Sequence, residues 1–156
     1  MIRSETTKRK VKASFDDANQ KAAGQFTGEQ RHTYQDLRLE GIIEAPVNIA
    51  VFYVPEAGPV LGQHSMPRTG LFSVVCAIQN MWLMSRALNV GLGWISILEP
   101  EKVKQALAAP PACDLVGYLC LGYVDEFLDS PELEQKGWAA RKAVNDVVFS
   151  EMFPDH

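Results

Sequence analysis

Residues 91–100 read Gly91-Leu92-Gly93-Trp94-Ile95-Ser96-Ile97-Leu98-Glu99-Pro100, and this stretch decides the fold. The two glycines let a backbone turn sharply or approach a planar ligand closely. Ser96 places a hydroxyl at the end of an apolar run, where it needs a hydrogen-bond partner if it is buried. Two interpretations follow from these residues alone. One is a structural turn whose hydroxyl bonds to backbone, and the other is a strand end that faces a flat ligand.

The segment before this stretch has the longest helical pattern in the chain. Over residues 71–88, apolar side chains cover nearly the whole helical circumference. That distribution is typical of a central helix packed on several sides. Trp82 and Met84 are therefore predicted to be core residues. We expect Gly91 and Gly93 to end this helix and to lead into a short strand over residues 94–98.

Toward the N-terminus, the pattern predicts two helices, a strand and a loop. The first helix spans residues 4–24 with Ser4 as its cap, and the second spans residues 27–40 and is closed by Gly41. Residues 47–54 form a β-branched run of the kind that is buried on both faces of a sheet. The Gly- and Pro-rich residues 55–70 then form a long loop, which in compact domains often covers a site or contacts a partner.

Toward the C-terminus, we expect a short helix over residues 100–107, a strand over 115–124 and a helical tail over 131–148. The element order predicts an α+β fold of mixed α/β layers. No repeat or composition change divides the chain, so residues 1–156 are expected to form a single domain. Met1 and Ile2 resemble the last residues of a strand.

Composition and motif spacing argue against several classes of function. The formal net charge is -4, which disfavours nucleic-acid binding, and the basic run at residues 8–12 lies in a helical pattern typical of a solvated face. The three histidines are far apart and no Cys-x-x-Cys occurs, so no metal site is predicted. The longest apolar stretch, residues 71–90, is interrupted by polar side chains, which argues against a membrane span.

The cysteines indicate a cellular compartment. Cys76, Cys113 and Cys120 are odd in number, widely spaced and set in apolar runs. This usage predicts buried thiols in a reducing environment rather than disulfides. The first residues also lack the apolar core of a signal peptide. We therefore expect a cytoplasmic protein.

A combination of motifs resembles one known family. They are Ser65-Met66-Pro67 in the loop, Gly91-Leu92-Gly93-Trp94-Ile95-Ser96 at the strand, and Gly137-Trp138-Ala139-Ala140-Arg141 in the tail. With the strand entry at residues 44–52, they resemble the nitroreductase family of FMN proteins. The Met-Pro loop and the Gly-Trp-x-x-Arg motif are similar to its dimethylbenzimidazole synthase branch in particular.

The resemblance implies an enzyme, a cofactor and a partner. Members of this branch are homodimers that react reduced FMN with O2 and convert the flavin into 5,6-dimethylbenzimidazole, the lower-ligand base of vitamin B12. Reduced FMN is then a substrate, which a flavin reductase would supply. Two alternatives remain open: a general FMN-dependent NAD(P)H oxidoreductase, and a catalytically silent chain that dimerises through residues 71–88.

The resemblance also implies roles for four residues. Ser96 matches the active-site serine, whose hydrogen bond would stabilise charge that develops on the flavin. Trp94, Ile95 and Ser96 would contact the ring system, with backbone donors at Ile95 and Ser96. Arg141 matches a residue that reaches the FMN phosphate in related enzymes. From the residues alone, a solvated helix charge is an equal alternative for Arg141.

Some parts of the family pattern have no counterpart here. They are an arginine-rich segment that holds the phosphate and carries the branch's catalytic aspartate, a Gly-Pro-Ser-type loop and a Gln-Pro-Trp strand. The resemblance therefore implies that residues 1–156 correspond to the C-terminal two-thirds of the family domain. On that basis, we expect the chain alone to bind FMN weakly or not at all.

Overall fold

The computed structural model describes residues 1–153, which form two compact units. The first unit comprises Met1–Gln25 and Arg38–Phe127, and the second comprises Phe26–Leu37 and residues 128–153. The single domain expected over residues 1–156 stays a prediction. In chain order the elements are α1 (Glu5–Ala23), α2 (Gly28–Gln35), β1 (Val47–Tyr53), α3 (Thr69–Ala87), β2 (Gly91–Ile95), α4 (Pro100–Ala106), β3 (Asp114–Gly122), α5 (Glu132–Gln135) and a 3-10 turn (Val144–Asp146).

The strands of the first unit form an antiparallel sheet in the order β1-β3-β2. Four consecutive residues of β3, numbers 117–120, are buried, which requires cover on both faces of the sheet. Two-sided burial was expected for residues 47–54. Those residues do form β1, but all except Asn48 are only half-buried, because β1 lies at an edge of the sheet.

Helices cover both faces of the sheet and produce the expected mixed layers. On one face, Ile78 of α3 packs on Leu92 and Leu119. On the other face, α1 and α4 enclose the larger core, whose buried apolar members are Ile2, Val11, Phe15, Ile42, Ile95, Val103, Tyr118 and Cys120. The alternation of Tyr118, Leu119 and Cys120 between the two cores follows the two-residue period of a strand. The α+β class is confirmed.

The buried amide of Asn48 joins three segments of the first unit. Its Nδ2 atom donates to the carbonyl oxygen of Ile42 at 2.8 Å and to the hydroxyl of Tyr118 at 3.0 Å. Its backbone forms an antiparallel bridge with Ile2, with N–O distances of 2.7 and 2.9 Å. Asn48 thus ties β1 to the loop before it, to β3 and to the N-terminus. The bridge gives Ile2 the strand-like pairing expected from the sequence.

Several helix predictions differ from the structure. The second helix ends at Gln35, and Gly41 lies in the loop beyond it. The tail forms only α5 and the short 3-10 turn instead of a helix over residues 131–148. Most of its residues are exposed, and an amphipathic helix needs a surface on which to bury its apolar side. The tail has a helical pattern of apolar residues, but most of them are not packed against another element among the described residues.

The prediction that the long central helix packs on several sides is wrong for the single chain. Only Ile78 and Ser85 of α3 are buried. Trp82 is 40% exposed and Met84 is 61% exposed, so neither is a core residue here. Cys76 is exposed as well, whereas Cys113 and Cys120 are buried as expected. An apolar helix that is covered on one side only presents its other side as a surface for a partner.

We predict that Asn48→Ala lowers the free energy of unfolding by about 2–3 kcal/mol, because two buried partners lose their donor. Tyr118→Phe removes only one hydrogen bond of the same amide, so the expected loss is about 1 kcal/mol. Urea unfolding followed by circular dichroism measures both values. Equal losses for the two variants would show that the bond to Ile42 contributes nothing.

Candidate functional site

The motif of residues 91–98 forms an edge strand followed by a turn. β2 ends at Ile95, so Ser96 lies just beyond the strand, which was expected to include it. β2 pairs only with β3, and Ile95 is opposite Tyr118. Because β2 is an edge strand, every second residue directs its backbone N–H and C=O away from the sheet. These groups and the exposed Ser96 lie next to each other at the sheet edge.

The two glycines of the motif, Gly91 and Gly93, have different structural roles. A Cβ atom on Gly91 would overlap Cγ1 of Val124 and lie 3.2 Å from the carbonyl oxygen of Gly122, so Gly91 permits close packing. A Cβ on Gly93 would meet no atom within 4 Å. Neither glycine ends α3. That turn is made by Asn89, which adopts a φ of 55°. Gly93 is exposed and therefore leaves an open surface on β2, three residues before Ser96.

Trp94 and Ile95 direct their side chains into the protein on opposite faces of the sheet. The Trp94 indole lies over Gly117, where an added Cβ would be 3.1 Å from its Nε1 atom, and it belongs to the cluster around Ile78. Ile95 is buried in the larger core. Their side chains thus fix β2 in place. The contact of Ile95 with a flavin stays a prediction, and because the side chain is buried it would be made by the backbone.

Residues 96–99 connect β2 to α4 in a defined conformation. The N–H of Leu98 donates to the carbonyl of Ser96 at 3.0 Å, while Ile97 and Leu98 pack against the larger core. The Ser96 side chain is exposed, so its hydroxyl does not need an internal partner. The buried hydroxyl of this region belongs instead to Ser14 of α1, which accepts a hydrogen bond from the N–H of Glu99 at 3.0 Å.

The contact made by Ser14 was not predicted from the sequence, although the position of the residue in α1 indicated it. Ser14 lies three residues after Val11 and one before Phe15, within the stripe that α1 buries. A hydroxyl on a buried stripe must find a partner across the packing interface. The residue type and position therefore indicated a contact from α1 to another element, but not which element.

Arg141 lies in the second unit, outside any helix, and its side chain is exposed. The preceding part of its motif is structural. Gly137 adopts a φ of 69° just after α5, and Trp138 packs on Phe26 and Tyr34 with ring centroids 5.1 and 5.8 Å apart. The helix-charge alternative for Arg141 does not hold. An exposed guanidinium on an extended segment is accessible to an anion.

The loop of residues 55–68 precedes α3 as expected. It is anchored at Gly70, where an added Cβ would lie 2.5 Å from Nε2 of Gln63 and 2.7 Å from the Tyr53 hydroxyl. Met66 is exposed, and its carbonyl accepts a hydrogen bond from the Thr69 hydroxyl at 2.6 Å. The loop is thus fixed near its C-terminal end and presents Met66 and Pro67 outward.

Comparison with protein families identifies the fold. The family model described as nitroreductase family matches residues 1–123, which is most of the chain. The chain belongs to the nitroreductase family. Two solved structures agree with its fold: an iodotyrosine deiodinase bound to FMN and 3-iodo-L-tyrosine, and a BluB-like flavoprotein from Clostridium difficile 630. They have TM-scores of 0.67 and 0.62 at 17% and 16% identity, cover 97% of this chain, and are themselves covered to 74% and 77%.

Two curated relatives are more similar in sequence, and both are named 5,6-dimethylbenzimidazole synthase. The protein of Rhodobacter capsulatus is 43% identical over 82% of this chain, and that of Rhodospirillum rubrum is 44% identical over 73%. The predicted similarity to this branch of the nitroreductase family is confirmed. The chain spans 63% and 55% of the length of these two relatives.

The titratable groups near the site are structural. Burial raises the pKa of the Cys120 thiol to about 12, and it raises that of the Tyr118 hydroxyl to about 12 as well. Both groups stay protonated at neutral pH, so neither is a nucleophile or a base. Among residues 1–153, no group of three His, Cys, Asp or Glu side chains is arranged to hold a metal ion, and no helix is long and apolar enough to cross a membrane.

Glu99 carries the largest electrostatic effect in this region. Hydrogen bonds from Lys102, and then from Lys21, lower the pKa of its carboxyl from 4.5 to about 2. Lys102 lies 2.8 Å from Glu99 and 2.5 Å from Asp17 of α1. These ion pairs connect α1 to the start of α4, directly after the turn that carries Ser96. They are solvent-accessible, so each contributes little to stability by itself.

We predict that the Glu99 ion pairs make stability depend on pH in the acid range. The folded-state pKa is lowered, so the stabilisation is complete above about pH 4.5 and is lost as the pH falls toward about 2. Glu99→Gln should flatten this part of the curve of urea midpoint against pH. Lys102→Met, which removes the largest cause of the shift, should flatten it too. An unchanged curve in both variants would contradict the assignment.

Proposed function

We propose that this chain carries part of the active site of a 5,6-dimethylbenzimidazole synthase, an enzyme that reacts reduced FMN with O2. The part that we assign consists of β2 and Ser96. The observation that carries the proposal is the exposed Ser96 hydroxyl, which directly follows an edge strand whose Gly93 is also exposed. The names of the two relatives support the reaction, and the FMN bound to the deiodinase of the same fold supports the flavin. Because the chain spans less than two-thirds of those relatives, the activity of the whole protein is part of the proposal.

The described residues suit one edge of a flavin. A planar ring system can approach Gly93 without meeting a side chain, and the outward backbone groups of β2 suit the polar atoms at the rim of such a ring. Reduced FMN, when bound, supplies the electrons for the reaction with oxygen. The Ser96 hydroxyl is placed to donate a hydrogen bond where charge develops on the ring.

The family resemblance, and not the position of its unit, assigns Arg141 to the FMN phosphate. Its exposed guanidinium can form a bidentate, charge-assisted contact with such a group. The loop of residues 55–68 would cover the ring and exclude water through Met66 and Pro67. A flavin reductase that supplies reduced FMN and a cytoplasmic location belong to the same proposal, and the exposed thiol of Cys76 suits a reducing compartment.

We predict that Ser96→Gly lowers the yield of 5,6-dimethylbenzimidazole by at least about tenfold and changes FMN affinity by less than about threefold, because the hydroxyl acts mainly in the reaction. The assay is aerobic incubation with chemically reduced FMN, with chromatography of the product and fluorescence titration of FMN. Ser96→Ala removes the hydroxyl without the added backbone freedom and should behave alike. Thr33→Ala, which removes an exposed hydroxyl from α2, is the control.

The outcomes separate the alternatives. Product that is formed equally well by the Ser96 variants would remove the hydroxyl from the mechanism. Reoxidised FMN as the sole product of the unmodified chain would favour a general FMN-dependent oxidoreductase. Absence of both flavin binding and product, together with dimerisation, would favour a silent dimerising chain.

We also infer that two copies of the chain associate through the exposed side of α3. Phe72, Val75, Trp82, Leu83 and Met84 are all exposed on this helix in the single chain. So many large apolar side chains on one element exceed what a monomer usually leaves in water. An isologous contact between two such helices would bury them, in agreement with the homodimer that the family resemblance implies.

We predict that Leu83→Glu converts a dimer into a monomer in sedimentation velocity, because two charges would be buried against each other in the contact. Leu61→Glu adds the same charge at a fully exposed leucine outside α3 and should leave the dimer intact. Cys76, exposed on α3, gives a second measurement, since its thiol should react faster in the Leu83 variant. A monomeric unmodified chain would overturn the inference.

A further inference from the structure

The turn that carries Ser96 is held at both ends by hydrogen bonds. At its start, β2 is paired with β3 up to Ile95, opposite Tyr118. At its end, the backbone of Glu99 is bound by the Ser14 hydroxyl, which accepts from the Glu99 N–H at 3.0 Å and donates to the Glu99 carbonyl at 3.3 Å. One side chain therefore satisfies both polar groups of a single peptide residue.

The position of Glu99 makes this contact effective. Glu99 is the N-cap residue of α4, and its carbonyl also accepts from the Val103 N–H at 3.2 Å to begin the helix. Its own side chain makes no capping hydrogen bond. Pro100 follows at the first helical position, where its fixed φ suits the helix and no donor is lost. The direction in which the chain leaves the turn is set at Glu99, and Ser14 holds it.

The hydrogen bonds of Ser14 and the ion pairs between α1 and α4 differ in burial, and this difference indicates which of them holds Glu99 more firmly. Ser14 is 1% exposed, so loss of its hydroxyl would leave the Glu99 N–H without this buried partner, while the Glu99 carbonyl would keep its bond from the Val103 N–H. The ion pairs Lys21–Glu99 and Asp17–Lys102 join the same two helices, but they are solvent-accessible and individually weak. Ser14, Asp17 and Lys21 are spaced along one side of α1, so the ion pairs extend the same contact outward.

We propose that Ser14 is a positioning residue that fixes residues 96–99, and with them Ser96, through the backbone of Glu99. Ser14 does not touch a ligand and acts only through this backbone. The relevance to catalysis rests on the proposed function, in which Ser96 donates to the flavin. A hydroxyl that must meet a developing charge gains from being held in place before the reaction.

The test is amide hydrogen exchange, measured by NMR on the full chain. In Ser14→Ala, exchange at Leu98 and Glu99 should be about five- to tenfold faster than in the unmodified chain, while Leu119 and Cys120 in the central strand keep their rates. Equal acceleration at all four amides would mean that the hydroxyl supports only global stability and would overturn the proposal. Unchanged rates at Leu98 and Glu99 would overturn it too.

Two further variants make the result specific. Ser14→Thr retains the hydroxyl and should restore slow exchange at Glu99, at the cost of one added methyl group. Lys21→Met removes an ion pair of Glu99 and leaves both Ser14 hydrogen bonds, so exchange at Leu98 and Glu99 should change less than about twofold. A change in Lys21→Met as large as that in Ser14→Ala would assign the positioning to the ion pairs instead.

Turnover separates this proposal from the proposed function. In Ser14→Ala, product formation at saturating reduced FMN should fall about three- to tenfold with little change in FMN affinity, because the Ser96 hydroxyl is less well placed. If the unmodified chain neither binds FMN nor forms product, the proposed function fails and the exchange rates still decide the role of Ser14. Faster exchange without any loss of turnover in an active chain would overturn the positioning role.

Discussion

The buried amide of Asn48 is the constraint on which the first unit depends. It donates to Ile42 and to Tyr118, while its backbone pairs with Ile2. Its Oδ1 atom has no hydrogen-bond partner among residues 1–153, so the amide is costly to bury, and the two bonds of its Nδ2 atom offset part of that cost. A one-residue shift of β1 against β3 would turn the amide to the other face of the sheet, away from the Tyr118 hydroxyl. Asn48 therefore selects one register.

Tyr118 carries that constraint to the functional edge. Its hydroxyl meets Asn48, its ring fills the larger core, and its backbone lies opposite Ile95, one residue before Ser96. The order β1-β3-β2 thus places Tyr118, the hydrogen-bond partner of Asn48, between the two edge strands. The position of Ser96 is set by strand pairing on one side and by helix contacts on the other, and not by the turn alone.

Helices and strands that are determined by nearby residues were predicted correctly from the sequence. Predictions were wrong where the structure of a segment depends on what packs against it. α1, α4, β1 and β3 lie close to their expected positions because prolines and β-branched runs act within a few residues, whereas β2 begins three residues earlier than expected. The burial of Trp82 was predicted wrongly because helical periodicity records which side chains are apolar, and not which surfaces cover them. The helical tail failed for the same reason, since helix formation in water depends on packing.

The candidate site shows how far residue type can predict a role. Ser14 and Ser96 are the same kind of residue but differ in burial, and this difference is why we propose opposite roles for them. The buried hydroxyl uses both its donor and its acceptor on the Glu99 backbone, so it has no capacity left for a ligand. The exposed hydroxyl has both available, and its place is fixed by bonds that it does not make itself. A hydroxyl is both fixed in position and available to a ligand only when other groups hold its backbone in place. In our proposal, the hydrogen bonds between Ser14 of α1 and the Glu99 backbone hold the turn that carries Ser96.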